Sequence, residues 1–398
     1  MRMAATIQSI LQGFFEQFAA NHPLSREQRL AAERMRDCRT PALGGHVVGC
    51  PEGHVRTICS NSCRHRNCPQ CSAFAREKWL AAWKERLLDC PHHHIVFTLP
   101  HELNPLWRYN KREFGNMLFR AGIEALRQLL ADPKYLGAEP GMLAALHTWD
   151  QTLLIHPHLH VMVTAGGLDA EGRWQQPRKN CLLPRQVLMQ VFRGKMRAFL
   201  LKALERGRLT LPPNTTLTAQ KNLLNRLGRA TWNVKILDRY AHGRGVATYL
   251  ANYLKGGPIG KGRIIDVQQG MVRIRCRDRD ADEGGGAGGR RRIVRLPVDE
   301  FLARLLEHVP PADMQTVRPY GLYANSKRPE LGKAREHFGQ TPRPAKGKLS
   351  WYDFCERHGI QPKSTCRCPV CGTPLVRLGS FAAGRDPPPS LAAVRPAA

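Results

Sequence analysis

The sequence lacks any apolar run long enough to span a bilayer. Its N-terminal stretch ATIQSILQGFFEQF is interrupted by Gln8, Gln12 and Glu16 at helical spacing and has no cleavage pattern, so a cytoplasmic, nucleoid-associated protein with no membrane partner is expected. Acidic residues are scarce: 32 Asp and Glu stand against 61 Lys and Arg, a net charge of +29. The basic residues are scattered along the whole chain, so the surface carries a strong positive potential and a polyanion, nucleic acid first, is the expected partner. Internal repeats are also missing, which excludes a solenoid.

What is present points to metal. The 398 residues are enough for two or three domains with a sizeable core. A reducing cytosol disfavours disulfides, yet there are 13 cysteines, most of them between positions 38 and 90 or between 355 and 371. In CRHRNCPQC, Cys68-x2-Cys71 brings two thiolates onto one tetrahedral zinc at roughly 2.3 Å from each sulfur, and Cys63 adds a third. The fourth ligand must come from upstream. Cys50 is the best candidate, with His54 as its partner in Cys50-x3-His54, and Cys38, Cys59, His46 and His65 stand in reserve. Near the end, CRCPVCGT places Cys366, Cys368 and Cys371 in a knuckle with Cys355 and His358 just upstream, a set able to close a second structural zinc site. Arg64 and Arg66 within the first cluster, and Lys255 and Arg318 further on, are the candidate DNA contacts.

Periodicity predicts the elements. An apolar stripe at Ile7, Ile10, Leu11, Phe14, Phe15 and Phe18 marks a first helix, and Ser25 with Gln28 has capping-box spacing for a second. A helix from Ser72 through Leu88 follows the first cysteine cluster. Next come a buried strand HIVFTLP (94–100), a helix over 110–132, the strands GMLAALHTW and HPHLHVMVTAG, a helix from about Arg185 to Leu204, a strand TWNVKIL (231–237) and a helix over GVATYLANYLKG. That order is β-α-β-β-α-β, so an α+β, ferredoxin-like split βαβ domain with an antiparallel sheet is expected, its first and third strands central neighbours. Beyond it, MVRIRCRDR and RRRIVRLP flank a glycine-rich turn as a basic hairpin, and VDEFLARLLEHV is a helix before a polar region. The expected domains are N-terminal helices (1–35), a zinc-binding domain (36–90), a catalytic domain (91–258), a basic hairpin and helical DNA-binding region (259–350), a zinc knuckle (351–378) and a disordered tail (379–398).

In IHPHLHVMV, His156, His158 and His160 share one face of a strand. At about 3.3 Å per residue, His158 and His160 lie about 6.6 Å apart and can share one cation, whereas His156 is about 13 Å from His160 and cannot join them. A divalent metal there, Mg2+ or Mn2+, would act as a Lewis acid on phosphate oxygens. Tyr249 and Tyr253, four apart on one helix, are placed to attack such a phosphodiester and to hold the DNA end as a phosphotyrosine. Isolated, a Tyr-x3-Tyr pair is more often core packing; behind a histidine strand it is a candidate pair of nucleophiles.

Taken together, these segments resemble the HUH endonucleases, and within them the two-tyrosine transposases of rolling-circle insertion sequences, the IS91 type. The resemblance runs from about Arg36 to Gly372 through CRTPALGGHVVGC, SCRHRNCPQC, VFTLP, HTWDQTLLIHPHLHVMV, TWNV, ATYLANYL, EFLARLLEHVPP and VRPYGL. It implies that His158 and His160 bind the catalytic metal and that Tyr249 and Tyr253 are nucleophiles. It also suggests Gln151, seven residues before the first histidine of the pair, as third ligand, with Asp150 and His147 as rivals. The chain departs from the family where it reads CPEGH in place of a CxxC, and His65 and Asn67 are exchanged relative to SCRNRHCPKC. The implied activity is cleavage and joining of single-stranded DNA at the ends of a mobile element and at its target. A plasmid or phage replication initiator or relaxase would use the same chemistry, and a zinc-dependent DNA-binding regulator would use none of it. No helicase motif is present, so host replication or helicase factors would supply separated strands.

Overall fold

Apolar residues at three- and four-residue spacing become helices, and alternating runs become strands, in the computed structural model, which describes residues 5–177, 182–237, 239–245, 247–248, 257–277, 291–340 and 367–384. In chain order the elements are α1 (Ile7–Asn21), α2 (Arg26–Arg36), β1 (Gly45–Gly49), β2 (Arg56–Ser60), α3 (Ser72–Arg86), β3 (His92–Thr98), α4 (Asn104–Tyr109), α5 (Lys111–Leu130), β4 (Glu139–Trp149), β5 (Ile155–Leu168) and β6 (Trp174–Gln175). There follow α6 (Arg185–Glu205), α7 (Leu217–Leu227), β7 (Val234–Ile236), β8 (Ile264–Gln268), β9 (Met271–Arg277), β10 (Arg291–Pro297), α8 (Val298–Glu307), β11 (Val317–Gly321), α9 (Arg328–His337) and β12 (Val376–Phe381). They group into two units: Met1–Lys78, Lys255–Val309 and Ala345–Ala398 form the first, Trp79–Leu254 and Pro310–Pro344 the second. No helix among the described residues is long and apolar enough to cross a membrane.

The second unit is built on an antiparallel sheet of order β11-β4-β5-β3-β7, with β6 paired to the far end of β5. Its strands β4-β5-β3-β7 have the split βαβ order, and β3 lies beside β5 as expected, with Thr98 opposite His158 and Val96 opposite His160. Strand alternation then decides the faces. Ile95, Phe97, Ala144, Leu146, Leu159 and Val161 pack in one core with α5 and α6. Leu143, Ala145 and Met162, one residue out of phase, pack in a second core with Trp83, Leu322 and Tyr323. The histidines of β5 share the phase of Met162.

β11, α7 and α9 are among the elements that were not expected. Residues read as a polar region hold β11, where Pro319 is tolerated because β11 is an edge strand and the missing N–H breaks no inner ladder. The helix α7 is capped by Thr216, whose hydroxyl accepts from Ala219 N–H at 3.1 Å. The strand expected over 231–237 narrows to β7.

A buried relay ties β3 to the segment after β11. Leu88 N–H donates to the Tyr323 hydroxyl at 3.1 Å, Tyr323 O–H donates to His92 Nε2 at 2.7 Å, and His92 Nδ1–H donates to the Cys90 carbonyl at 2.8 Å. The arrangement requires a neutral imidazole, and burial pushes the pKa of His92 down to about 4. Its folded value lies below the ordinary 6.5 of the unfolded chain, so the unfolded state binds the extra proton between those values and stability is lost as pH falls from about 6.5 to 4. His92 alone should lower the free energy of unfolding by roughly 2 kcal/mol between pH 7 and pH 5. Urea titrations at the two pH values measure this, and an unchanged midpoint would contradict the neutral relay.

In the first unit, Ile7, Ile10, Leu11, Phe15 and Phe18 form the buried stripe of α1, and the capping box Ser25/Gln28 opens α2. Both helices pack on α8, and Gln28 donates to the Leu306 carbonyl at 3.1 Å. Two three-stranded antiparallel sheets accompany them, β12-β1-β2 and β10-β9-β8. The second contains the expected basic hairpin of β9 and β10, whose connecting residues 278–290 lie outside the described residues. The first contains β12, which extends to Phe381 in a stretch where a tail was expected from residue 379.

Candidate catalytic centre and metal clusters

Three imidazoles converge on one face of the second unit's sheet. β4 and β5 pair so that His147 is opposite His158 and Ala145 opposite His160, and alternation turns His147, His158 and His160 away from α5 and α6. One ring nitrogen of each lies within 4.8 Å of the others. The ring centroids of His147 and His160 are 4.3 Å apart, and those of His158 and His160 are 4.8 Å apart.

Hydrogen bonds select the nitrogens that face inward. His158 Nδ1–H donates to the His156 carbonyl at 2.6 Å, which leaves the lone pair on Nε2. His160 Nδ1 lies 2.8 Å from His94 Nε2. The tautomer that donates from Nδ1 puts the lone pair of His160 on Nε2, an atom buried like Nε2 of His147. Burial, reinforced by the neighbouring imidazoles, holds His147 and His160 well below the usual histidine range, and burial pushes His94 down to about 4. His147 and His160 are therefore neutral at pH 7, and their lone pairs are available to a cation. This donor set fits a divalent metal ion, with His94 orienting the ring of a ligand from behind.

The remaining candidates take different places. Gln151 lies in the β4–β5 turn. Asp150 in the same turn commits its carboxylate to Thr152 N–H at 2.7 Å and Leu154 N–H at 2.9 Å. His147, weighed only as a rival, is the residue the structure brings to the pair, and His156 contributes its backbone carbonyl. Tyr249, Tyr253 and Lys255 lie outside the described residues. Ala247, two residues before Tyr249, is buried in the core that contains Ala145 and Met162, on the histidine face. His94 was missed by sequence reasoning, although its signal was visible: it opens a strand expected beside the histidine strand.

The cysteines group differently from expectation. Cys38, Cys63, Cys68 and Cys71 bring their sulfurs within 4.8 Å of one another, with Cys63 and Cys71 at 3.5 Å. Cys68 N–H donates to the His65 carbonyl at 3.0 Å, closing the knuckle that leads into α3, and Arg39 N–H donates to the Asn61 carbonyl at 3.0 Å, carrying Cys38 to it from the end of α2. Cys50 and His54, expected in this group, are elsewhere. The hairpin pairs Gly45 with Ser60 and Gly49 with Arg56, so Cys50 follows β1 at the turn end while Cys63 follows β2 at the open end, about 16 Å of strand away. Cys50 and His54 meet Cys368 and Cys371 instead, their ligand atoms within 4.8 Å of one another. Cys355 and Cys366, expected beside Cys368 and Cys371, lie outside the described residues.

Among the candidate DNA contacts, Arg64 lines a cleft of about 1190 Å³ together with Arg34, Arg39, His46 and Arg377. Arg66 is largely withdrawn from solvent, which lowers its pKa. Arg318 is held in the fold, over the Phe119 ring at 4.2 Å and donating to Asn116 at 2.6 Å.

Two family models match the chain, one described as "Putative transposase" over residues 141–330 and one as "Transposase zinc-binding domain" over residues 10–99. The chain is 34% identical over 379 residues to "Putative transposase y4qJ" of Sinorhizobium fredii, covering 93% of this chain and 94% of that protein. It is 32% identical over 357 residues to "Transposase for insertion sequence element IS801" of Pseudomonas savastanoi pv. phaseolicola, covering 86% of this chain and 81% of that one. No solved structure matches it.

Proposed function

The chain belongs to the insertion-sequence transposases of the IS91 type, with their N-terminal zinc-binding domain, and from that premise we propose that it cuts and rejoins single-stranded DNA at the element's ends through tyrosine. The observation that carries this reading is the convergence of His147, His158 and His160 on the sheet face where Ala247 is buried, two residues before Tyr249.

In this reading a phenol oxygen of Tyr249 or Tyr253 attacks the scissile phosphorus, the bond from phosphorus to the 3′ oxygen breaks, and the leaving oxygen takes a proton to become a 3′-OH. The product is a 5′-phosphotyrosine, which keeps the energy of the phosphodiester for joining to another strand. The second tyrosine performs the second cleavage. Mg2+ or Mn2+, held by His147, His158 and His160, would polarise the phosphate and stabilise its developing charge. His156 and His94 fix the rings that do the holding. Structural zinc sits with Cys38, Cys63, Cys68 and Cys71 in the zinc-binding domain.

Phosphate affinity would come from the first unit. On the open face of β9 and β10, Arg277 is opposite Arg291 and the exposed Arg275 lies next to them opposite Ile293, whereas Arg273, opposite Arg295, is ion-paired with Asp266; Val272, Ile274, Cys276 and Leu296 are buried on the other side. Like charges directly opposite one another destabilise a sheet, and a polyanion relieves the repulsion. Arg275→Ala with Arg291→Ala should weaken single-strand binding evenly across sequences and flatten the plot of log K against log salt by about 1.4, roughly 0.7 for each phosphate no longer neutralised. Titrations between 50 and 200 mM salt read that slope, and an unchanged slope would move DNA off this face.

Incubation of the protein with end-derived single strands and Mg2+ or Mn2+ tests the reading. A denaturation-resistant protein–DNA adduct is expected from the wild type and none from Tyr249→Phe with Tyr253→Phe. An adduct of equal yield in the double variant would remove the tyrosines from the chemistry.

A further inference from the structure

The turn of the β1–β2 hairpin and the C-terminal knuckle present four ligand atoms to one point. Each half is a tight turn: Gly53 N–H donates to the Cys50 carbonyl at 2.9 Å, and Gly372 N–H donates to the Cys368 carbonyl at 2.9 Å. Cys50 Sγ is 3.5 Å from His54 Nδ1 and 3.5 Å from Cys371 Sγ, and all four ligand atoms lie within 4.8 Å of one another. A tetrahedral zinc with bonds of about 2.3 Å to sulfur and 2.0–2.1 Å to nitrogen has edges of roughly 3.5–3.8 Å. The observed spacing is therefore that of a closed site with no open position.

We propose that Cys50, His54, Cys368 and Cys371 hold a second structural zinc ion, which clasps residues more than 300 positions apart in the chain and seats the C-terminal strand in the N-terminal zinc-binding domain. The shape of β1 supports this independently of the ligands. β12 pairs along the full length of β1, from Gly45 opposite Phe381 to Gly49 opposite Val376. A Cβ at Gly45 would lie 2.4 Å from the Phe381 ring, and one at Gly49 would lie 2.5 Å from Leu378 Cδ1. Both ends of β1 are thus relieved of side chains where β12 comes closest. The clasp has a consequence for the surface, because β12 carries Arg377 into the cleft lined by Arg34, Arg39 and Arg64. That cleft is complete only when the last strand is seated.

Zinc content of the purified full chain, measured by plasma mass spectrometry, tests the site. Two ions per chain are expected in the wild type. Cys368→Ser with Cys371→Ser should leave one, Cys50→Ser with His54→Ala should leave one, and the combined fourfold variant should also leave one, because the two pairs share an ion. Either double variant retaining two ions, or the fourfold variant losing a further ion, would overturn the clasp. Alkylation of the native wild type keeps the proposal testable if a variant misfolds. Cys371 is exposed, so only bound metal protects it from N-ethylmaleimide. Chelation should raise its modification at least tenfold; full modification of zinc-replete protein at the uncatalysed thiol rate would overturn the proposal.

Discussion

His158→Ala should slow cleavage of end-derived single strands by on the order of a thousandfold or more, with DNA binding little changed. His158 is the best residue for separating chemistry from folding. It is only half-buried, its Nδ1–H donates to a backbone carbonyl, and its inward nitrogen serves the cluster. Deleting His147 or His160 would also open a cavity in the sheet, because both are buried. His156→Ala is the matched control: His156 contributes its carbonyl to His158, which alanine retains, so its rate should stay within about tenfold of wild type. Single-turnover rates at saturating protein, with Mg2+ or Mn2+ titrated in each variant, make the comparison. A His158→Ala enzyme within tenfold of wild type would show that the metal is held elsewhere.

The second large effect is on stability. Cys68→Ser should remove one zinc ion and unfold the segment around it, because structural zinc contributes about 10–16 kcal/mol to the folding of small zinc modules. Cys68 is almost fully buried among Cys38, Cys63 and Cys71, and its N–H closes the knuckle through His65. Cys59 provides the contrast. It sits on β2, lines the cleft and is outside both four-ligand groups, so Cys59→Ser should keep full zinc content. Zinc stoichiometry and protease resistance of the stretch from Cys38 to Ser72 report the outcome. Retained zinc in Cys68→Ser, or lost zinc in Cys59→Ser, would redraw the ligand set.

Much of the second unit was legible in the sequence because a strand's faces alternate. Once 94–100 and the histidine strand were read as first and third strands of a split βαβ unit, their adjacency followed, and the structure sets Val96 opposite His160. Register within the β4–β5 hairpin was only partly within reach. A tight turn from Asp150 to Leu154 brings Trp149 opposite Ile155, but regular pairing from there would set His147 opposite Pro157, and only a one-residue register shift between His147 and Trp149, which spacing does not announce, brings His147 to His158. The cysteine partners were harder to read. Spacing favours near neighbours, whereas Cys50 is turned away from Cys63 by the length of one strand and meets ligands from the far end of the chain. The strand that follows those ligands, β12, runs out of the expected knuckle into residues 379–381, which were read as the start of a Pro/Ala-rich tail. Its order depends on pairing with β1, a long-range contact that local composition does not encode.

Tyrosine, not water, opens the phosphodiester in the proposed reaction. The most direct measurement is mass spectrometry of the peptides recovered after the protein is incubated with a 5′-extended single strand and Mn2+, denatured and digested. A nucleotide mass is expected on the peptide carrying Tyr249 or Tyr253, joined through the 5′ phosphate, in amounts that fall with His158→Ala. Metal-dependent cleavage that leaves both DNA fragments free and every tyrosine peptide unmodified would contradict it.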